Sequence, residues 1–207
     1  MHIDNINKHT YEISKPYIDN FRIALDVGAR NGDYAKYLAE DFDHSHCFEP
    51  RQQYKKRFKR ALENNLNKAT WHPVALGEEE KNVTMIGPVV LNLEDKQYKS
   101  KKGGVVRAVN RLAKKFSELN VKQKRLDDYS FDDVDYIKID VEGHELNVLK
   151  GAVKTIERCK PIIVIEQNRV TERYGKGNKF DAKNFLISLG YEVVAFDMAY
   201  DYILKYK

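Results

Sequence analysis

Five short apolar runs, separated by segments of a different period, restrict this chain more than any other feature of its sequence. They are "RIALDV" (22–27), "SHCFE" (45–49), "WHPVAL" (71–76), "VDYIKID" (134–140) and "PIIVIEQ" (161–167). Each has the length and apolar continuity of a strand buried on both faces. Between several of them apolar residues recur at helical spacing. Tyr34, Tyr37, Leu38 and Phe42 share one face, Tyr54, Phe58, Ala61 and Leu62 a second, and Leu146, Leu149, Val153 and Ile156 a third. Alternating strands and helices predict an α/β fold with right-handed crossovers and a mostly parallel sheet covered on both sides. The tail differs: after a helix at about 180–189, "YEVVAF" and "YDYILKY" flank a short turn and read as antiparallel neighbours at one edge. "NVTMI" and "VVLNL", joined around Gly87 and Pro88, read as a second hairpin.

A chain of 207 residues at 42% hydrophobic and 32% charged buries one core, so residues 1–207 are expected to form a single domain. No window has the roughly 18 uninterrupted apolar residues of a membrane span, and the first 20 residues lack a signal-peptide core, so the cytoplasm is the expected compartment. Residues 1–20 read as an extension whose helix packs on the sheet, with cover of a ligand cleft as the alternative. Cys47 and Cys159 have neither zinc-site nor disulfide-framework spacing and read as free thiols. The net charge of +5 is unevenly spread: residues 96–125 hold eleven Lys and Arg against Glu118 alone. This basic insertion reads as a solvated helix face and loop rather than a binding surface.

The first strand runs into "DVGARNGDY", with Asp26, Gly28 and Gly32 spaced as DxGxxxG. A glycine-rich loop opening a helix lets a ligand approach the backbone, at the carboxyl end of the sheet where open α/β folds bind. Dinucleotide sites open this motif with glycine and seat a pyrophosphate on the helix N-terminus. Here Asp26 opens it and Asp33 follows, so two carboxylates disfavour phosphate and favour a cation. S-adenosylmethionine, with its sulfonium and α-ammonium, is the better electrostatic match. Glu49, 23 residues after Asp26, ends the second strand where an acid accepts hydrogen bonds from ribose hydroxyls. The alternative gives Asp26 a capping role and leaves Glu49 an exposed strand end.

The second concentration of chemistry is "KIDVEGHELNVLKGA" (138–152), which sets Asp140, Glu142, His144 and Glu145 where a buried strand turns into a helix. Helix capping by Asp140 or Glu142 accounts for part of that cluster. Four ionisable groups at a cleft mouth point further, to function.

Taken in order, "LDVGARNGDYA", "FEP", "VALG", "RLDDY", "YIKIDVEGHELNVLKGA" and "PIIVIEQN" resemble the FkbM family of S-adenosylmethionine-dependent methyltransferases, over about residues 23–197. The resemblance implies a Rossmann-like class I methyltransferase sandwich, a seven-stranded sheet with an antiparallel edge strand, and methyl transfer to a hydroxyl of a sugar, glycan or related small molecule. It implies a cofactor set of Asp26, Gly28, Ala29, Arg30, Asn31, Gly32, Glu49, Pro50, Ala75 and Asp140, with Asp140, Glu142 and Glu145 as signature acids.

Methyl transfer from a sulfonium is an in-line displacement in which the acceptor hydroxyl loses its proton. Asp140 is the first candidate base by position and His144 the second, with Glu142 beside them. The same acids offer an alternative, Mg²⁺ held by Asp140, Glu166 and Asn168, which would acidify the hydroxyl. An RNA 2′-O-methyltransferase is the rival enzyme, with the basic insertion and Trp71, Tyr98 and Phe116 as its motives; the acids and the lack of an evident catalytic lysine count against it, making nucleic acid an unlikely partner. A non-catalytic binding domain is the rival from another class. NAD-dependent oxidoreduction fails on Asp26 and on the lack of a Tyr and Lys pair at the sheet's mouth.

Overall fold

The computed structural model describes residues 3–86, 89–91, 118–167, 177–178, 180–197 and 200–207. The apolar runs become the strands of a seven-stranded sheet: β1 (Ile23–Val27), β2 (His44–Phe48), β3 (Ala69–His72), β8 (Val134–Ile139), β9 (Ile162–Glu166), β10 (Tyr191–Phe196) and β11 (Asp201–Tyr206). Their order is β10-β11-β9-β8-β1-β2-β3. The pairs from β3 to β9 are parallel, and β11 runs antiparallel to both β9 and β10, so the tail hairpin lies at the edge as its sequence predicts. The order reverses between β1 and β8, which opens a crevice at their carboxyl ends.

Two helical layers cover this sheet. On one face α1 (Ile3–Ser14), α2 (Ala35–Asp41) and α3 (Lys55–Ala61) lie over Ala24, Cys47, Tyr136, Val164 and Ile203. Tyr11, Leu38, Phe42, Phe58 and Leu62 supply the fully buried side chains of that layer. On the other face α4 (Glu145–Lys150), α5 (Val153–Cys159) and α6 (Asp181–Ser188) bury Val148, Leu149, Ile156 and Leu186 against Leu25, Ile137, Ile139, Ile163 and Ile165. Full burial of each such side chain contributes about 1.5–3 kcal/mol. The amino-terminal helix packs on the sheet, in line with its sequence reading.

Three expectations need correction. "WHPVAL" is not one strand: Pro73 has no N–H for a ladder, and the run divides into β3 and the two-residue β4 (Ala75–Leu76). The helix expected through Leu146, Leu149, Val153 and Ile156 divides into α4 and α5 at Gly151. There the chain passes so close to Gly77 that a Cβ on Gly151 would overlap the Gly77 carbonyl. The end of the basic insertion is a strand, β7 (Glu118–Lys124), rather than helix or loop. It pairs with β4 and β5 (Lys81–Ile86), and β5 pairs with β6 (Val89–Leu91), giving a second sheet of order β4-β7-β5-β6. This confirms the second hairpin; residues 96–117, with Tyr98 and Phe116, lie outside the described residues. Among the described residues no helix is long and apolar enough to cross a membrane.

Candidate active site

The crevice is built by two loops that touch. Gly28 follows β1 at φ +96°, and a Cβ there would overlap the carbonyl oxygen of Asp140, which follows β8. Only glycine combines that backbone conformation with that approach. The Asp140 amide donates to Val27 O at 2.9 Å, and the Gly28 and Ala29 amides both donate to Phe48 O, at 2.9 and 3.2 Å. Three strand ends are thereby held together. Gly32, at φ +84°, closes the turn against Phe58 and Leu62 of the α3 layer. Arg30 (φ 45°) and Glu142 (φ 55°) also adopt left-handed backbone, one in each loop. Such conformations concentrate at functional sites because the surrounding fold must hold them in place.

Between the loops and the second sheet lies a cleft of about 510 Å³, its open mouth included. Of the residues expected in the site, Gly28, Arg30, Glu49, Pro50, Ala75, Asp140, Glu142 and His144 line it together. Asp26, Ala29, Asn31 and Gly32 shape the loop from behind. Val74, Leu76 and Met85 form an apolar wall, so β5 joins β4 in closing the site. Asn168 lies outside the described residues.

Electrostatics separates the acids into roles. Asp26 is 2% exposed, and its Oδ2 is buried without a hydrogen-bond partner, as is Asn31 Oδ1. Burial raises the Asp26 carboxyl to about 7, opposed by Lys138 and reinforced by Asp140 and Glu49. Glu49 is also buried, not an exposed strand end, and burial raises it; backbone N–H groups of Arg51 and Arg30 act the other way. The Arg51 amide donates to Glu49 Oε1 at 2.8 Å. Neither Asp140 nor Glu142 caps α4, whose N-cap, His144, makes no side-chain capping bond. Glu145 braces the loop from inside instead, its Oε1 accepting from Gly143 N at 2.9 Å and Val141 N at 3.3 Å. His144 is buried with Nε2 3.0 Å from Gln123 Oε1 on β7, which ties the second sheet to the loop. Asp140 keeps 36% of its side chain exposed, so it is the member of the group presented to a ligand. Glu166 is raised by burial and by Asp140, to which its carboxyl is hydrogen-bonded. Among the described residues no three His, Cys, Asp or Glu side chains gather as a metal-binding group, so the Mg²⁺ alternative finds no support there.

Sequence reasoning missed Lys138. It lies 4% exposed near the carboxyl end of β8, with Nζ 2.7 Å from Asp201 Oδ1 and 3.9 Å from Asp140 Oδ2. A lysine thus stands beside the site, where the sequence reading saw no evident catalytic lysine, and it lies over the Tyr34 ring at 5.7 Å. Its charge is spent on Asp201, and burial and Tyr136 raise the Tyr34 hydroxyl well above the ordinary phenol range, so this pair does not suit proton relay at the cleft. The signal was available: one lysine inside the apolar run "VDYIKID" demands a buried partner.

Comparison with known proteins agrees with this geometry. A Beauveria bassiana protein named Methyltransferase 1 is 28% identical over 155 residues, covering 68% of this chain and 61% of its own length. The chain therefore spans about three fifths of that curated relative. The crystal structure of an FkbM methyltransferase from Methylobacillus flagellatus superposes with a TM-score of 0.58 at 18% identity, covering 91% of this chain and 44% of that one. A Streptococcus mutans structure solved in complex with SAH (S-adenosylhomocysteine) superposes at 0.51 with 10% identity, covering 96% and 95%. At these identities the structures attest the fold, a class I Rossmann-like methyltransferase sandwich. The model of the methyltransferase FkbM domain matches residues 26–200, from Asp26, which opens the first glycine-rich loop, to Tyr200, the residue before β11. With most of the chain inside that match, the protein belongs to the FkbM methyltransferase family.

Proposed function

We propose that this chain transfers a methyl group from S-adenosylmethionine to a hydroxyl oxygen of a sugar, glycan or related small molecule. The carrying observation is the pairing, across one cleft, of a buried acid at the end of β2 with a half-exposed acid at the end of β8. Glu49 is suited to accept from two ribose hydroxyls. Acids predominate around the cleft, which favours a cation over a phosphate. The relative's name supports methyl transfer, and the SAH bound to the Streptococcus mutans protein supports the cofactor.

Bound S-adenosylmethionine supplies an electrophilic methyl on a sulfonium. The chain supplies orientation and a place for the acceptor's proton. Asp140, at the reactive end, accepts that proton from the hydroxyl; general-base help of this kind contributes about 10²–10⁴ in rate. His144 is less suited, because Gln123 occupies its Nε2. Val74, Leu76 and Met85 give the cleft one apolar side against which an acceptor can pack.

The test is incubation of the protein with tritiated S-adenosylmethionine and separate panels of glycosides, nucleotide sugars and RNA. Alkali-stable label in a sugar panel, lost in Asp140→Asn, is the expected result. Label in RNA alone would replace the substrate reading with its rival.

A further inference from the structure

Lys138 is buried beside the site, and the methyl-transfer reading gives it no task. Its strand neighbour on β1 is Asp26, and side chains two apart on β8 put Lys138 and Asp140 on the same face. Glu166 ends β9 on that face, and Asp201 pairs with it at the start of β11. One ammonium therefore stands among four carboxyl groups from four strands, with Tyr34 and Tyr136 beneath them and Glu142 above. Asp201 is also tied to the amino-terminal helix. Thr10 Oγ1 of α1 lies 3.3 Å from Asp201 Oδ2 and 2.5 Å from Asp197 Oδ2. A continuous line of polar contacts runs from Thr10 through Asp201 and Lys138 to Asp140. Its first two members fall outside the residues that the family model matches.

We propose that Lys138 is a positioning residue: clamped by Asp201, it fixes where the Asp140 carboxylate lies at the reactive end of the cleft. Stability alone does not account for this lysine, since well-packed apolar residues commonly serve as well as a buried ion pair. Asp201 occupies one of its three donors. Asp140 Oδ2, at 3.9 Å, is beyond hydrogen-bond reach, so the pull on it is coulombic. That pull adds to the Glu166 contact in restricting a side chain that is 36% exposed. The proposal deepens the methyl-transfer reading and rests on it.

The experiment is calorimetric titration of S-adenosylmethionine and, separately, S-adenosylhomocysteine into the full chain, Lys138→Met, Lys138→Arg, Asp140→Asn and the Lys138→Met/Asp140→Asn double variant. The two ligands differ by one methyl and the sulfonium charge, so the ratio of their affinities reads the negative potential at the transferred methyl. Losing the lysine's charge alone would raise the preference for the cation, so positioning predicts a net fall, by about threefold to tenfold, in the Lys138→Met preference for S-adenosylmethionine as Asp140 leaves its place. S-adenosylhomocysteine affinity should move by less than about twofold. Lys138→Arg should keep most of the preference, and once Asp140 is Asn, Lys138→Met should no longer lower it; a raised preference in the Lys138→Met single variant would overturn the proposal. A lysine that only holds the core together would weaken both ligands alike, and that unmoved ratio would overturn the proposal; an undiminished effect in the Asp140→Asn background would do the same. If Lys138→Met does not fold, Asp201→Asn carries the test: Lys138 then draws Asp140 inward and the preference falls, whereas an unchanged ratio again overturns the proposal. S-adenosylhomocysteine binding with an unmoved ratio defeats this inference alone; no binding of either ligand to the unsubstituted chain defeats the methyl-transfer reading first.

Discussion

Arg22 and Lys138 stand at opposite ends of the same sheet, and both are held by aspartates. Arg22, just before β1, reaches Asp135 through its backbone N, Nε and a terminal nitrogen at 2.9, 3.0 and 2.6 Å, and also contacts Asp133. Its side chain is 47% exposed, so water screens the pair. Lys138 and Asp201 are 5% and 8% exposed. By bond count Arg22 is the better partnered, yet burial makes the Lys138 pair the more consequential. The amino-terminal end of the sheet carries ordinary surface pairing, while the carboxyl end concentrates desolvated charge around the cleft. That asymmetry supports the proposed site at the carboxyl end.

The comparison can be broken most severely at the crevice itself. Gly28→Ala adds a Cβ where Asp140 O now lies, at a φ that alanine avoids. It should cost more than about 3 kcal/mol in urea unfolding and abolish S-adenosylhomocysteine binding. Lys138→Met, leaving Asp201 buried and unpaired, should cost about 3–5 kcal/mol, and the Lys138→Met/Asp201→Asn double variant should recover most of it. Equal costs for single and double variants would show that the pair is not coupled.

A smaller effect comes from pH. Asp26 is raised from 3.8, and Glu145 from 4.5, to about 7 in the folded chain, in both cases chiefly by burial. The folded state then binds more protons than the unfolded state between those values. Their contribution to stability is complete below the unfolded values and is lost as pH rises through about 7. Urea midpoints at pH about 5 and about 8 should therefore show a decline, reduced in Glu145→Gln. The smallest effect belongs to the other end of the sheet: Arg22→Ala should cost about 1 kcal/mol or less, and less still in high salt.

Much of this arrangement was legible because local and global signals agree. The period of the apolar runs gave the alternation of layers, and Asp26, Gly28 and Glu49 fell on the carboxyl ends of β1 and β2 because strand ends are where such motifs have room. The failures have separate physical causes. Pro73 splits its run because it has no N–H for the ladder, and Gly151 splits its helix where the chain passes close to Gly77, a contact that no local period encodes. The β7 strand hides within a basic segment because one face of its sheet is open: Lys122 is exposed there while Val121 and Gln123, to either side, are buried. Glu145 reads as one more functional acid until its bonds to the Val141 and Gly143 amides are seen. Lys138 was overlooked for a different reason: its partner lies 63 residues away, on a strand that joins the sheet antiparallel.

The measurement that bears most directly on the account is calorimetric titration of S-adenosylhomocysteine into the unsubstituted chain and into Glu49→Gln. Micromolar binding to the first, weakened by about tenfold or more in the second through loss of charge-assisted hydrogen bonds, is the predicted result. Equal affinity for both would remove Glu49 from the ribose, and no binding to either would contradict the cofactor site itself.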